Sequence, residues 1–148
     1  MLKTCTALLS LLVMASLVSA QETAKAAIDA SKMYGDWEYV SGMRAGEEVA
    51  KERLEGVVSI NEDTWTLPGG PGATFVMDYV MDASKDPAKI DFTIKEGPVP
   101  EGAALGIVTL DGDQLTLCYH PMGGNRPEKL ESTAENEAFL FVLKRKQK

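Results

Sequence analysis

The chain has 148 residues and a formal net charge of −7, and 45% of its residues are hydrophobic. This length suits one self-supporting domain rather than two. The acidic balance argues against a nucleic acid partner, because phosphate contacts require clustered Lys and Arg side chains.

The first 20 residues have the features of a cleaved export signal. Lys3 provides a short positive start, residues 7–18 are almost wholly apolar, and Val18-Ser19-Ala20 places small residues where signal peptidase cleaves. The apolar run is shorter than the roughly 20 residues that span a bilayer. We therefore predict a signal peptide over residues 1–20, a periplasmic or secreted location, and no membrane insertion after cleavage.

Cleavage would remove Cys5 and leave Cys118 as the only cysteine. An internal disulfide could not then form, so the stability of the domain must come from its core. The next stretch, residues 21–33, is rich in helix formers but carries only Ile28 and Met33 as sizeable apolar side chains. We predict a short helix or a tether there.

From residue 34 onward, short apolar or alternating runs are separated by turn residues, which is typical of an all-β sandwich or barrel. A polar stretch with a helical turn is expected at residues 47–54. The predicted strands are residues 37–42, 56–60, 64–67, 73–81, 89–95, 104–110, 114–119 and 137–146. Eight strands with mostly short connections favour a closed antiparallel up-and-down barrel, which we predict for residues 34–148.

The two ends of this predicted barrel carry a recognisable pair of motifs. Gly35-Asp36-Trp37 begins the first strand, and Lys144-Arg145 lies near the end of the last. The arrangement resembles the lipocalin pattern of Gly-x-Trp with a late Arg, in which the Trp fills the closed end and the Arg lies over its indole in a cation–π contact. The resemblance implies that Trp37 and Arg145 close the barrel.

Longer segments give a closer resemblance. They are, in chain order, "GDWEYVSG", "KIDFTIKEGP", "LGIVTLDGDQLTLCYHP", "NRPEKL" and "FLFVLKRK". These segments are similar to a family of exported lipocalin-like domains of the calycin type, which is abundant in planctomycetes and has no assigned biochemical function. The resemblance implies a calycin-type barrel and an exported location, but it implies no activity and no catalytic residues.

Cys118 and His120 are the residues that most invite a catalytic or metal-binding interpretation. They are two apart on one predicted strand, so their side chains share a face. Leu115, Leu117 and Tyr119 form the apolar alternation of that strand, which should face the core and leave Cys118 and His120 outside. The other usual ligands are missing, so we predict neither catalysis nor metal binding at this pair.

The hairpin that contains this strand has the strongest turn signal in the chain, Asp111-Gly112-Asp113. Two registers fit this signal. A two-residue turn pairs Val108 with Leu115, and a three-residue loop pairs Thr109 with Leu115. Both registers keep the apolar side chains of the second strand inward.

Acidic residues suggest a cation site in two places, at Asp82, Asp86 and Asp91 and at residues 111–113. A calcium-binding EF-hand loop needs about 12 residues with ligands at alternate positions and a closing Glu. The sequence after Asp111 instead continues into a hydrophobic strand. Turn chemistry explains these residues better, so we predict no metal, no cofactor and no enzymatic activity.

The barrel interior is the remaining candidate site. We predict that large inward-facing side chains line it: Phe75, Met77, Tyr79, Met81, Phe92, Leu117 and Tyr119. Small residues at positions 102–104 and 106 reduce side-chain volume in a neighbouring strand, which suggests free space.

Two functions stay open at this point. A cavity would indicate a protein that binds a small apolar ligand, with selectivity from the hydroxyls of Tyr79 and Tyr119. A filled core would indicate a non-catalytic interaction module. Such a module would contact an envelope protein through its outer surface or through the long connection at residues 128–136.

Overall fold

The computed structural model describes residues 28–69, 72–99, 101–121 and 123–148. The predicted signal peptide, residues 1–20, lies outside these ranges, as does most of the predicted helix or tether. The described end of that stretch forms a single 3-10 turn, Ala30–Met33. Asp29 caps this turn, since its carboxylate accepts a hydrogen bond of 3.0 Å from the Ser31 backbone N–H.

Within these ranges, one antiparallel sheet of nine strands makes up the domain. The strands are β1 (Gly35–Arg44), β2 (Glu47–Glu48), β3 (Val57–Ile60), β4 (Thr64–Pro68), β5 (Thr74–Asp82), β6 (Ala88–Glu96), β7 (Gly102–Asp111), β8 (Gln114–His120) and β9 (Phe139–Arg145). β1 also pairs with β9, which closes the sheet into a ring, while the two-residue β2 pairs only with the end of β1. The predicted eight-stranded antiparallel up-and-down barrel is confirmed.

β1 contains a bulge that changes which of its side chains face inward. The register with β9 shifts between Tyr39 and Ser41, and the extra residue, Val40, is 55% exposed. A bulge offsets the alternation of a strand by one residue. Gly42 and Arg44 therefore lie on the inner face, together with Trp37 and Tyr39 before the bulge.

The two-residue turn of the β7–β8 hairpin lies one residue later in the chain than the predicted two-residue turn. Leu110 pairs with Leu115, which leaves Gly112 and Asp113 as a two-residue turn. Gly112 has a φ of 59°, the left-handed conformation that two-residue hairpin turns favour. Both predicted registers are wrong, but Leu115 and Leu117 do face inward, at 0% and 4% exposure.

The domain has two cores, one inside the barrel and one on its outer face. The inner core contains Trp37, Trp65, Ile90, Phe92, Leu115 and Leu143 among its buried side chains. The outer core is smaller and consists of Ile107, Cys118 and Ala138, with Leu130 and Leu140 packed against them. Residues 123–138, here called the outer segment, cover this part of β7 and β8.

The small residues of β7 do not create free space. A Cβ atom added to Gly106 would lie 2.8 Å from both the carbonyl oxygen of Cys118 and the Cβ of Tyr119. A Cβ atom at Gly102 would lie 3.2 Å from the Cδ1 of Ile94. These glycines permit close packing against the neighbouring strands β6 and β8, so the prediction that small residues leave free space here is wrong.

Candidate functional site

The end of the barrel near the start of β1 is filled. Trp37 is fully buried there, and its indole N–H donates to the carbonyl of Met33 at 2.9 Å. The guanidinium carbon of Arg145 lies 4.4 Å from the centroid of the Trp37 ring. The structure thus brings together the two residues that the lipocalin pattern places in contact.

Arg145 also donates hydrogen bonds to two other parts of the chain. Its guanidinium donates to the backbone carbonyls of Tyr34 and Lys32 and to the carboxylate of Asp113. These acceptors belong to the segment before β1 and to the β7–β8 turn. These hydrogen bonds hold the Arg145 side chain in place, and they connect β9 to the segment before β1 and to the β7–β8 turn.

The opposite end of the barrel holds a cavity of about 710 Å³ that is open to solvent on one side. This volume lies within the range of about 300–1,000 Å³ that is usual for small-molecule pockets. Its aromatic lining residues are Tyr39, Trp65, Phe75, Tyr119, Phe139 and Phe141. Further apolar lining comes from Val58, Leu67, Leu117 and Leu143.

Aromatic rings from β1, β8 and β9 form one continuous wall of this cavity. The ring centroids of Tyr119 and Phe139 are 5.3 Å apart, and those of Tyr39 and Phe141 are 5.4 Å apart. Tyr119 stacks on Phe141 at 6.1 Å and links the two pairs. Gly42 leaves room for this wall, because a Cβ atom there would lie 2.7 Å from the Phe141 ring.

The segment that follows β1 covers the other side of the cavity entrance. β3 pairs only with Gly35–Glu38 of β1, so the second half of β1 has no β3 residues beside it. Residues 45–54, here called the entrance segment, lie along this gap and include β2 and the 3-10 helix Lys51–Arg53. The entrance segment contributes Glu47, Glu48, Val49, Ala50 and Arg53 to the cavity lining.

The entrance segment is attached to the outer segment at one point. The backbone N–H of Ala45 donates to the carbonyl of Ala138 at 3.2 Å, and that of Gly46 donates to the Ser132 hydroxyl at 3.0 Å. Ser132 in turn donates to the Ala138 carbonyl at 2.6 Å. One hydroxyl thus joins the turn after β1 to the chain before β9.

The residues predicted to line the barrel interior fall into two groups. Phe75, Leu117 and Tyr119 line the cavity. The other four pack in or against the filled core: Met77 and Phe92 are buried, and Tyr79 and Met81 are partly buried. The Tyr79 hydroxyl donates to the carbonyl of Asn61 at 2.8 Å and lies outside the cavity lining.

The sequence analysis missed several residues of the cavity lining, although the alternation of apolar residues along their strands could have identified some of them. Phe139, Phe141 and Leu143 alternate along β9 and share its inner face, so their period of two could have identified them. Tyr39 likewise follows Trp37 by two. Arg44 had no such signal, because it faces inward only after the bulge.

Burial moves the pKa values of the two tyrosines of the aromatic wall further above neutral pH. It raises the pKa of Tyr39 to about 12. Burial also raises the pKa of Tyr119, against a smaller lowering effect from the positive charge of Arg44. Both side chains are therefore hydrogen-bond donors at neutral pH. Neither hydroxyl has a hydrogen-bond partner among the described residues, unlike that of Tyr79.

Trp65 carries the one buried side-chain N or O atom without a hydrogen-bond partner in the described ranges, its indole nitrogen. The ring packs edge-on against Phe92 at 5.2 Å and Tyr79 at 6.1 Å. Trp65 thus belongs both to the filled core and to the cavity lining.

Cys118 and His120 lie away from the cavity. Cys118 is fully buried in the outer core, where its thiol contacts the carbonyl of Glu131 at 3.5 Å. Burial raises the pKa of this thiol, which disfavours the reactive thiolate. The ring nitrogen Nδ1 of His120 lies 3.1 Å from the carbonyl of Pro121.

Two further findings concern the part of the chain that the structure describes. It contains no group of three or more His, Cys, Asp or Glu side chains placed to hold a metal ion. It also contains no helix with the length and apolar character needed to cross a membrane.

Comparisons with family models, with curated proteins and with solved structures found no match. The case for a function therefore depends on the geometry described above.

Proposed function

We propose that this protein is an exported lipocalin-like domain that binds a small apolar ligand in the cavity at the open end of its barrel. One observation carries the proposal: a cavity of about 710 Å³ with an aromatic wall lies in a barrel that is otherwise filled. Covering such a wall removes apolar surface from water, which stabilises a complex by about 25 cal/mol per Å².

The interaction module with a filled core is the weaker candidate. Its premise was an interior without free space, and the cavity of about 710 Å³ leaves one end of the interior unfilled. A non-enzymatic role is part of our proposal. The buried thiol of Cys118, with its raised pKa, supports it, since a reactive cysteine needs access to solvent and a lowered pKa.

Uptake of the neutral fluorescent probe N-phenylnaphthylamine tests ligand binding. We expect saturable fluorescence enhancement with the protein lacking residues 1–20. The variant Ala50→Trp should abolish it, because Ala50 lines the entrance and is itself exposed. Val80→Trp is the matched control, since it adds the same indole at a position that is 74% exposed on the outside of β5.

Two outcomes would contradict the proposal. One is a wild-type protein that does not enhance the fluorescence. The other is equal enhancement by the Ala50→Trp and Val80→Trp variants, which would place the probe outside the cavity.

Export is tested separately, by expressing the full chain in a bacterium with its own secretion pathway. We expect the protein outside the cytoplasm, with Gln21 at its N terminus. Full-length protein retained in the cytoplasm would contradict this part of the proposal.

A further inference from the structure

The cavity entrance carries a positive charge on the inner face of the barrel. Arg44 is the last residue of β1, and its guanidinium carbon lies 4.8 Å from the centroid of the Phe139 ring. Phe139 belongs to the aromatic wall, so the cation is held beside the apolar surface that a ligand would cover. The ring orients the guanidinium but offers no carboxylate or carbonyl acceptor.

The charge of Arg44 is not neutralised by direct contact. The ion pairs formed among the described residues are Lys95–Asp78, Arg126–Asp91, Lys144–Glu38 and Arg145–Asp113. Arg44 belongs to none of them, although Glu47 is its cross-strand neighbour in the β1–β2 pair. Its guanidinium therefore has donors available for an anion.

Two neutral donors share this wall with Arg44. Tyr119 packs against Phe139, the ring that Arg44 covers, and Tyr39 packs against Phe141, which stacks on Tyr119. The hydroxyls of both tyrosines have no hydrogen-bond partner within the described part of the chain. A cation and two O–H donors thus lie along one side of a cavity whose inner part is apolar.

We propose that the ligand is an amphipathic monocarboxylate, an inference that rests on the proposed function. Its carboxylate binds Arg44 and the hydroxyl of Tyr119, and its apolar body lies along the aromatic wall toward Leu117. A guanidinium matches the planar geometry of a carboxylate. A single negative charge fits better than two, because the exposed Glu47 and Glu48 also line the entrance and would repel a dianion.

The test compares decanoate, decanol and decylamine as competitors that displace N-phenylnaphthylamine from the cavity. These competitors share one apolar chain and differ in the charge of the head group. We expect half-displacement by decanoate at a concentration about five- to tenfold lower than by decanol, the size of one partly solvated charge-assisted contact. Decylamine should displace the probe less well than decanoate, because Arg44 repels its ammonium group.

Three variants assign the effect to residues. Arg44→Gln should remove most of the difference between decanoate and decanol by weakening decanoate, with a smaller effect on decanol. Arg53→Gln is the matched control, since it removes the same charge from the entrance segment and should preserve most of the difference. Glu47→Gln should strengthen decanoate binding about two- to threefold, because it removes a repulsive charge.

A further variant, Tyr119→Phe, keeps the ring and removes only the hydroxyl. It should weaken decanoate about two- to fivefold and decanol less, because a charged acceptor forms the stronger hydrogen bond. Circular dichroism would show whether Arg44→Gln folds. If it does not, Tyr119→Phe still tests the carboxylate proposal.

The outcomes separate the two proposals. Failure of N-phenylnaphthylamine to bind would overturn the proposed function itself. Probe binding with equal displacement by decanoate and decanol would overturn only the carboxylate. Strongest displacement by decylamine would indicate a cationic ligand instead, and equal losses in the Arg44→Gln and Arg53→Gln variants would overturn the assignment to Arg44.

Discussion

The two ends of the barrel share one kind of contact, an arginine over an aromatic ring, but differ in what surrounds it. Arg145 lies over Trp37 at 4.4 Å at one end, and Arg44 lies over Phe139 at 4.8 Å at the other. Arg145 donates to three further oxygen atoms, and the ring beneath it is fully buried. Arg44 is exposed and takes part in no ion pair among the described residues. A cation–π contact alone therefore does not show whether an arginine is also held in place by hydrogen bonds.

What distinguishes the two ends is how much of the chain surrounds each ring. The 3-10 turn Ala30–Met33 and the β7–β8 turn enclose Trp37 and supply the acceptors for Arg145. At the open end, the entrance segment lines the cavity without filling it. The filled end and the open cavity thus lie at opposite ends of one barrel, and the variants below test whether stability and the proposed ligand binding are separated in the same way.

Trp37→Ala should produce the largest effect. The substitution removes a fully buried indole from the closed end, which should lower the free energy of unfolding by about 3–5 kcal/mol. Urea denaturation followed by circular dichroism measures the change. Val80→Ala, at a strand position exposed to solvent, serves as the control and should stay within about 0.5 kcal/mol of wild type. A small loss at Trp37 would show that this end is not what holds the barrel together.

Arg145→Gln and Arg44→Gln form the most direct comparison of the two ends. The first removes hydrogen bonds to three oxygen atoms and should cost about 2 kcal/mol of unfolding free energy. The second removes an exposed charge and should cost less than about 0.5 kcal/mol. Equal losses in urea denaturation would remove the distinction that we draw between the two arginines.

Alkaline pH should lower the stability of the folded protein through Tyr39, a residue of the aromatic wall. The pKa of Tyr39 is about 12 in the folded protein and 10.0 for an unperturbed tyrosine, so the unfolded chain loses this proton first. Stability is fully present below about pH 10 and falls as the pH rises toward 12, by about 1–2 kcal/mol from this residue. Thermal denaturation across this range should show a smaller decrease for Tyr39→Phe than for wild type. An unchanged slope would contradict the assignment to Tyr39.

Ser132→Ala should produce a smaller effect than Trp37→Ala or Arg145→Gln, about 1 kcal/mol. The Ser132 hydroxyl accepts from the Gly46 N–H and donates to the Ala138 carbonyl, so its loss leaves the Gly46 N–H without this acceptor, while the Ala138 carbonyl keeps the bond from the Ala45 N–H. Urea denaturation measures the cost. Ser59→Ala, which removes an exposed hydroxyl that contacts Asp36, is a suitable control with a smaller expected loss.

Alternation and turn chemistry were enough to predict the barrel. Each strand of the ring coincides with a predicted run, because one face of every strand is buried and imposes a period of two on the sequence. The turn at Gly112 was also visible, but its register was not, since both predicted pairings satisfied the same alternation. Sequence patterns report which face a residue occupies more reliably than which residue it meets.

The cavity could not be predicted in the same way, and β1 shows why. Without the bulge at Val40, the alternation from Trp37 would place Arg44 outside the barrel. Nothing in the sequence of this strand marks the offset. The entrance segment was predicted as a helical turn, but its position beside the unpaired half of β1 depends on where β3 ends. Both features arise from pairing between strands rather than from local sequence.

The Ser132 hydroxyl couples the cavity entrance to the environment of the Cys118 thiol. It joins the turn at Gly46, on the cavity side, to the outer segment that shields the thiol of Cys118. If the entrance widens at this turn, either the hydrogen bonds of Ser132 break or the outer segment shifts away from Cys118. The rate at which a thiol reagent modifies Cys118 should therefore register events at the far side of the barrel wall.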